Sequence, residues 1–93
     1  MARALNTFMI HIEVKHLPEQ ARFEAVVDGE TAFLTYTQTP GRVAMTHTIV
    51  PAEIGRRGVA GQLTATAVGW AREQGLEIDP QCSYVARWLR QHG

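Results

Sequence analysis

At Pro51 the spacing of apolar residues changes from every second position to a helical repeat, and few folds accommodate that change. Before Pro51, Phe8, Ile10, Ile12 and Val14 fall on one side of an extended chain, with His11, Glu13 and Lys15 on the other. Phe23, Ala25 and Val27 repeat the alternation against Arg22 and Glu24. Ala32, Leu34 and Tyr36 repeat it against Phe33, Thr35 and Thr37, and Val43, Met45, His47 and Ile49 make a fourth run. Period two with β-branched and aromatic residues predicts four strands. Asp28-Gly29 suits a two-residue hairpin, because both central positions of that turn want positive φ. Pro40-Gly41 marks a second turn, and Leu17-Pro18-Glu19-Gln20 a looser one. After Pro51, Val59, Leu63, Ala67 and Trp70 share one helical face, and Gly75 is placed to end that helix. Leu76–Asp79 reads as a fifth strand stopped by Pro80. Tyr84, Val85, Trp88 and Leu89 then line a last helix, with Arg87 and Arg90 late in it, where cations suit the dipole.

The predicted order is β-β-β-β-α-β-α. The first four strands form an antiparallel meander, and the helix before the fifth permits a parallel crossover. Each strand has a more apolar face that needs a cover. The fold class expected is α+β: a mixed, mostly antiparallel sheet covered by two helices, as a single domain over residues 1–93. Composition agrees, since 45% apolar and 19% charged residues describe a folded chain, and 93 residues is near the low end for an independent core. Formal net charge zero argues against a nucleic-acid surface. No apolar run approaches the roughly 20 residues of a membrane helix, and charges come too early in MARALNTFMIHIEV for a signal peptide. A cytoplasmic monomer or weak homodimer is expected. A single cysteine, Cys82, excludes an internal disulfide and a multi-thiolate zinc site.

The segment Val50-Pro51-Ala52-Glu53-Ile54-Gly55-Arg56-Arg57-Gly58-Val59-Ala60-Gly61 runs from a strand into a helix. Small residues admit a ligand close to the backbone, and the first turn offers free N–H groups at the positive end of the dipole. Arg56 and Arg57 add guanidinium groups suited to phosphate. Local physics therefore predicts a phosphate or pyrophosphate site. The Walker pattern needs GKS or GKT, and Arg57-Gly58-Val59 supplies neither. Gly55, Gly58 and Gly61 lie three apart and do not make G-x-G-x-x-G.

The same segment resembles motif A of the GCN5-related N-acetyltransferases, Gln/Arg-x-x-Gly-x-Gly/Ala. Aligned on Gly58, Ala60 takes the last position and Gly55 the first, where the family has Gln or Arg; Arg56 stands one step on. Together with His47-Thr48-Ile49-Val50-Pro51 ahead of the turn and Pro80-Gln81-Cys82-Ser83-Tyr84-Val85 after the fifth strand, the chain is similar over nearly its whole length to a small, single-domain acetyltransferase-like family with a cysteine after strand five. Its end, Arg90-Gln91-His92-Gly93, is shorter than that family's usual tail.

The resemblance implies that strands four and five splay apart and hold acetyl-CoA between them. Ile49 and Val50 would pair their backbone with the pantetheine arm, and the amides of Arg57, Gly58, Val59, Ala60 and Gly61 would hold the pyrophosphate, with Arg56 beside them. It also implies transfer of acetyl to a small-molecule or peptide amine. Cys82 lies where the family places its cysteine. Two routes stand: Cys82 takes the acetyl group and passes it on, or the amine attacks directly and Cys82 only lines the site. Ser83 reads as the N-cap of the last helix, and a thiol beside a helix N-terminus favours thiolate. Direct attack needs a base. Many relatives carry a Glu on strand four; here His47 stands there instead, histidine being the side chain that changes charge near neutral pH. The alternative is that His47 is a half-buried structural histidine. His11, His16 and His92 read as surface residues, Trp70 and Trp88 as core, Glu53 as solvated, and Tyr84 as core or as a donor to a departing thiolate. The competing reading of the whole is a non-catalytic coenzyme A-binding sensor or scaffold.

Overall fold

The computed structural model describes residues 12–92. The strand expected over Phe8–Val14 lies largely outside them. Among the described residues the sheet has five strands in the order β1-β2-β3-β4-β5. They are β1 (Val14–Leu17), β2 (Arg22–Val27), β3 (Glu30–Thr39), β4 (Arg42–Ile49) and β5 (Glu77–Pro80). The first four pair antiparallel, and β5 lies parallel to β4. The described residues also form two α-helices, α1 (Val59–Glu73) between β4 and β5, and α2 (Ser83–His92) after β5. The α+β class and the element order are as expected. No described helix is long and apolar enough to cross a membrane.

The turns form where the chemistry predicts. Asp28 and Gly29 both take positive φ, 52° and 79°, and join Val27 to Glu30 as paired neighbours; that is the twist a two-residue hairpin requires. Leu17 belongs to β1, and the looser turn after it is a short 3-10 helix over Pro18–Gln20.

One face of the sheet is covered by α1. Phe23, Ala25, Ala32, Leu34, Val43 and Met45 meet Val59, Leu63, Ala67, Val68 and Ala71 there, joined by Val85 of α2, and all are buried. Thr64 is buried among them because its hydroxyl donates to the Ala60 carbonyl at 2.8 Å, satisfying itself within the helix.

His16 corrects its reading as a surface residue. It lies half-buried on the covered face, stacked on Phe23 with ring centroids 4.1 Å apart. It also meets Trp70 edge-on at 4.9 Å, and its Nε2 lies 2.7 Å from the Tyr36 hydroxyl. Lys15 and Glu13, its neighbours, are exposed as the alternation predicts.

The fourth run corrects the sequence pattern more consequentially. Thr35 pairs with His47, but Tyr36 pairs with Met45, so Thr46 is an extra residue in β4. Such a bulge reverses the alternation beyond it. Val43 and Met45 are buried, whereas His47 is exposed and Ile49 is 48% exposed. The four do not share a face.

Two predictions follow from the packing. Leu63→Ala should cost about 2–5 kcal/mol in urea unfolding, the range for deleting a buried leucine side chain. Burial lowers the His16 pKa from 6.5, so the folded state resists protonation that the unfolded chain accepts. Stability should therefore be intact above pH 6.5 and fall as pH drops from there through the lowered value. The difference in unfolding free energy between the parent and His16→Phe, followed against pH, should isolate that slope.

Candidate active site at the parting of β4 and β5

β5 pairs with β4 only from Arg42↔Glu77 to Met45↔Pro80. One bond continues past it, from the Cys82 N–H to the Met45 carbonyl at 2.9 Å. From Thr46 to Ile49, β4 runs on without a β5 partner. Three local causes open this notch. Pro80 has no N–H to continue the ladder. The Gln81 N–H turns back to the Asp79 carbonyl at 3.0 Å. The Thr46 bulge bends β4 at the same level. Because β4 and β5 are parallel, the notch lies at the carboxyl ends of both, where open sheets with crossover helices bind ligands.

Beside the notch, the chain leaves β4 through Val50 and Pro51 and makes a 3-10 turn, Ala52–Ile54, anchored by the buried Ile54. Gly58 then takes φ 76°, the left-handed conformation that costs glycine little, and caps α1 without a side chain. Gln62 makes the first helical bond, to the Gly58 carbonyl at 3.0 Å. The N–H groups of Gly58, Val59, Ala60 and Gly61 take no backbone acceptor among the described residues. They form a row of free donors at the positive end of the helix. Arg56 is exposed beside them. Arg57 is not simply solvated: its guanidinium forms an ion pair with Asp28 in the β2–β3 hairpin, tying this loop to the sheet.

Cys82, not Ser83, is the N-cap of α2, because its carbonyl accepts the first helical bond, from the Ala86 N–H at 3.0 Å. Its thiol is half-buried and lies 3.5 Å from the Thr48 hydroxyl. Burial alone pushes this thiol up. The Thr48 hydroxyl and the backbone N–H groups of Val85, Tyr84 and Thr48 outweigh it, and the net direction is below the ordinary thiol value. The Tyr84 hydroxyl approaches the first turn of α1; a Cβ added at Gly61 would stand 3.6 Å from it. The sequence pattern did not single out Thr48, because the bulge that turns it toward Cys82 leaves no mark in the alternation.

His47 points the other way. Its Nδ1 lies 3.5 Å from Thr35 Oγ1 on the face of the sheet left uncovered among the described residues, while Thr48, the next residue, meets Cys82. The thiol and the imidazole therefore flank β4 from opposite sides and do not form a Cys–His pair. His92 stacks on Trp88, with centroids 4.3 Å apart, and stays exposed, as does Glu53. A shallow depression lined by Glu13, Lys15, Glu24 and Val26 lies on β1 and β2, away from this chemistry.

The chain is thus an α+β protein whose mixed sheet parts beside a helix N-terminus capped by Gly58 without a side-chain bond, with Cys82 at the apex of the notch. The family model for the GCN5-related N-acetyl-transferases matches residues 22–93. The chain belongs to that family, and no curated protein matches it.

The thiol chemistry is directly measurable. Alkylation of Cys82 by iodoacetamide, followed against pH, should show the thiolate forming below the range of an ordinary cysteine. Thr48→Val should move that curve upward by removing the strongest of the stabilising hydrogen bonds.

Proposed function

We propose that this chain binds acetyl-CoA in the notch between β4 and β5 and transfers acetyl to an amine, on a small molecule or a peptide. The observation that carries the reading is the parting of the two strands beside the unpartnered N–H groups of α1. The residues fit the ligand. Gly58, Val59, Ala60 and Gly61 offer donors to a pyrophosphate, and the main chain of Ile49 and Val50 has an open side for the pantetheine amides. The Arg57 amide, expected among the pyrophosphate donors, is not free for that role: its N–H donates to the Ile54 carbonyl at 3.3 Å, and its side chain is paired with Asp28. Arg56, exposed and in no ion pair among the described residues, is the guanidinium placed to reach a phosphate. Acetyl-CoA supplies, when bound, a thioester activated toward amines.

The chain's own groups divide between the two faces of β4. His47, on the uncovered face, receives the proton that an attacking amine must lose. Thr48 and the N-terminal amides of α2 hold Cys82 toward thiolate on the α1 side. Tyr84 stands there with a hydroxyl that can donate a proton. The lowered Cys82 pKa favours a second route, in which Cys82 takes the acetyl group before the amine does.

Titration calorimetry with acetyl-CoA should give saturable heat, and Gly58→Ala should weaken binding about tenfold or more by straining the left-handed cap. Absence of heat with the parent protein would sink both acetyl transfer and the non-catalytic coenzyme A-binding reading. Heat without thiol release across a panel of amines would leave the sensor or scaffold reading. Intact-mass spectra after incubation with acetyl-CoA should show an acetylated Cys82 only if the covalent route operates. Cys82→Ala should then abolish turnover rather than merely reduce it.

A further inference from the structure

We infer that Thr35 holds neutral His47 as its Nδ1–H tautomer, leaving Nε2 as the ring nitrogen that accepts a proton; for catalysis this rests on the reading of His47 as the base. Three polar atoms meet on the uncovered face: Thr46 Oγ1, Thr35 Oγ1 and His47 Nδ1. They meet because the bulge turns the adjacent Thr46 and His47 toward the same neighbour. In an unbroken strand one of the two would face α1.

A count of protons then fixes the direction of each bond. Thr46 Oγ1 lies 3.2 Å from the Thr35 carbonyl oxygen. A carbonyl only accepts, so Thr46 makes both of its contacts only when its single hydroxyl proton goes there. Thr46 Oγ1 also lies 2.7 Å from Thr35 Oγ1. With its own proton committed, Thr46 accepts and Thr35 donates. Thr35 then has no proton left for the imidazole. Its Oγ1 faces His47 Nδ1 at 3.5 Å with a lone pair, and that contact is favourable only when Nδ1 carries hydrogen. Neutral imidazole carries one hydrogen, so Nε2 keeps the free lone pair. A partner at one ring nitrogen setting the role of the other is the general way a histidine's tautomer is assigned. Thr35 is thus a positioning residue, acting through His47.

Long-range proton–nitrogen NMR of the neutral imidazole, on the full ligand-free chain, reads the tautomer without any turnover. The parent should show Nδ1 protonated and Nε2 free. Thr35→Val should shift the population toward Nε2–H, and Thr35→Ser should keep the parent pattern. Thr46→Val makes the sharper test: it frees the Thr35 proton to point at Nδ1 and should move the imidazole hydrogen to Nε2 while leaving Thr35 in place. In acetyl transfer, Thr35→Val should lower turnover by less than the roughly 100- to 10,000-fold of a lost general base, with acetyl-CoA affinity unchanged and Thr35→Ser restoring the rate. An Nε2–H tautomer in the parent, or a tautomer indifferent to both Thr35→Val and Thr46→Val, would overturn the inference. His47→Ala with undiminished turnover would remove the base reading alone, because the NMR assignment stands or falls separately.

Discussion

The one-residue insertion at Thr46, set opposite the paired Thr35 and Tyr36, is the constraint on which the site depends. Up to Met45, β4 behaves as a central strand, bonded to β3 on one side and β5 on the other. At the bulge it bends, and at the same level β5 runs into Pro80, whose nitrogen has no hydrogen to offer. Neither cause alone would need to open the sheet, because a proline can sit at a strand end and a bulge can be absorbed within a ladder. Coinciding, they leave half of β4 with an open flank. The same insertion exchanges the faces of the strand beyond it, which brings Thr48 to Cys82 and His47 to Thr35.

Charge preference at the notch comes mainly from backbone. The N-termini of α1 and α2 both lie there: Gly58–Gly61 present free amides, and the Tyr84 and Val85 amides face the Cys82 sulfur. Helix ends of this kind favour negative charge without any change in net composition, so a chain of formal charge zero can still carry an anion site. The arginines contribute unequally. Arg57 spans from the α1 approach to Asp28 in the hairpin, an exposed pair of the kind worth at most about 1 kcal/mol, and its larger effect is to restrain where the loop lies. Arg56 forms no such pair among the described residues and is exposed.

Strand pairing and the covered face provide the rigid part of this arrangement. His16, Phe23, Tyr36 and Trp70 form one aromatic group that joins β1, β2, β3 and α1. It fixes α1 over the sheet from the end away from the notch. The uncovered face carries Ile49, Val26 and the Thr35–Thr46–His47 group instead, so its chemistry is exposed where the other face is packed.

Much of the fold was legible in the sequence, because a two-residue period, a helical period and a hairpin dipeptide are local properties. β2 to β5, both helices, the Asp28-Gly29 turn and the small residues before α1 all follow from neighbours within a few positions. The family resemblance carried the idea of parted strands. What local pattern could not carry was register. Nothing within Val43–Ile49 marks Thr46 as extra; the insertion exists only relative to β3, and it moved His47 and Ile49 from the expected inner face to the outer one. His16 likewise reads as an ordinary polar position until Phe23, Tyr36 and Trp70 are brought around it. The cysteine's place after strand five was visible, but its role as the α2 cap and its contact with Thr48 depend on atoms 34 residues apart. The sequence alone therefore determined which segments extend and which coil, since backbone preference and side-chain spacing are set by near neighbours. Tertiary structure alone decided which groups face one another across β4, since a hydrogen bond or a change of face is a relation between distant segments.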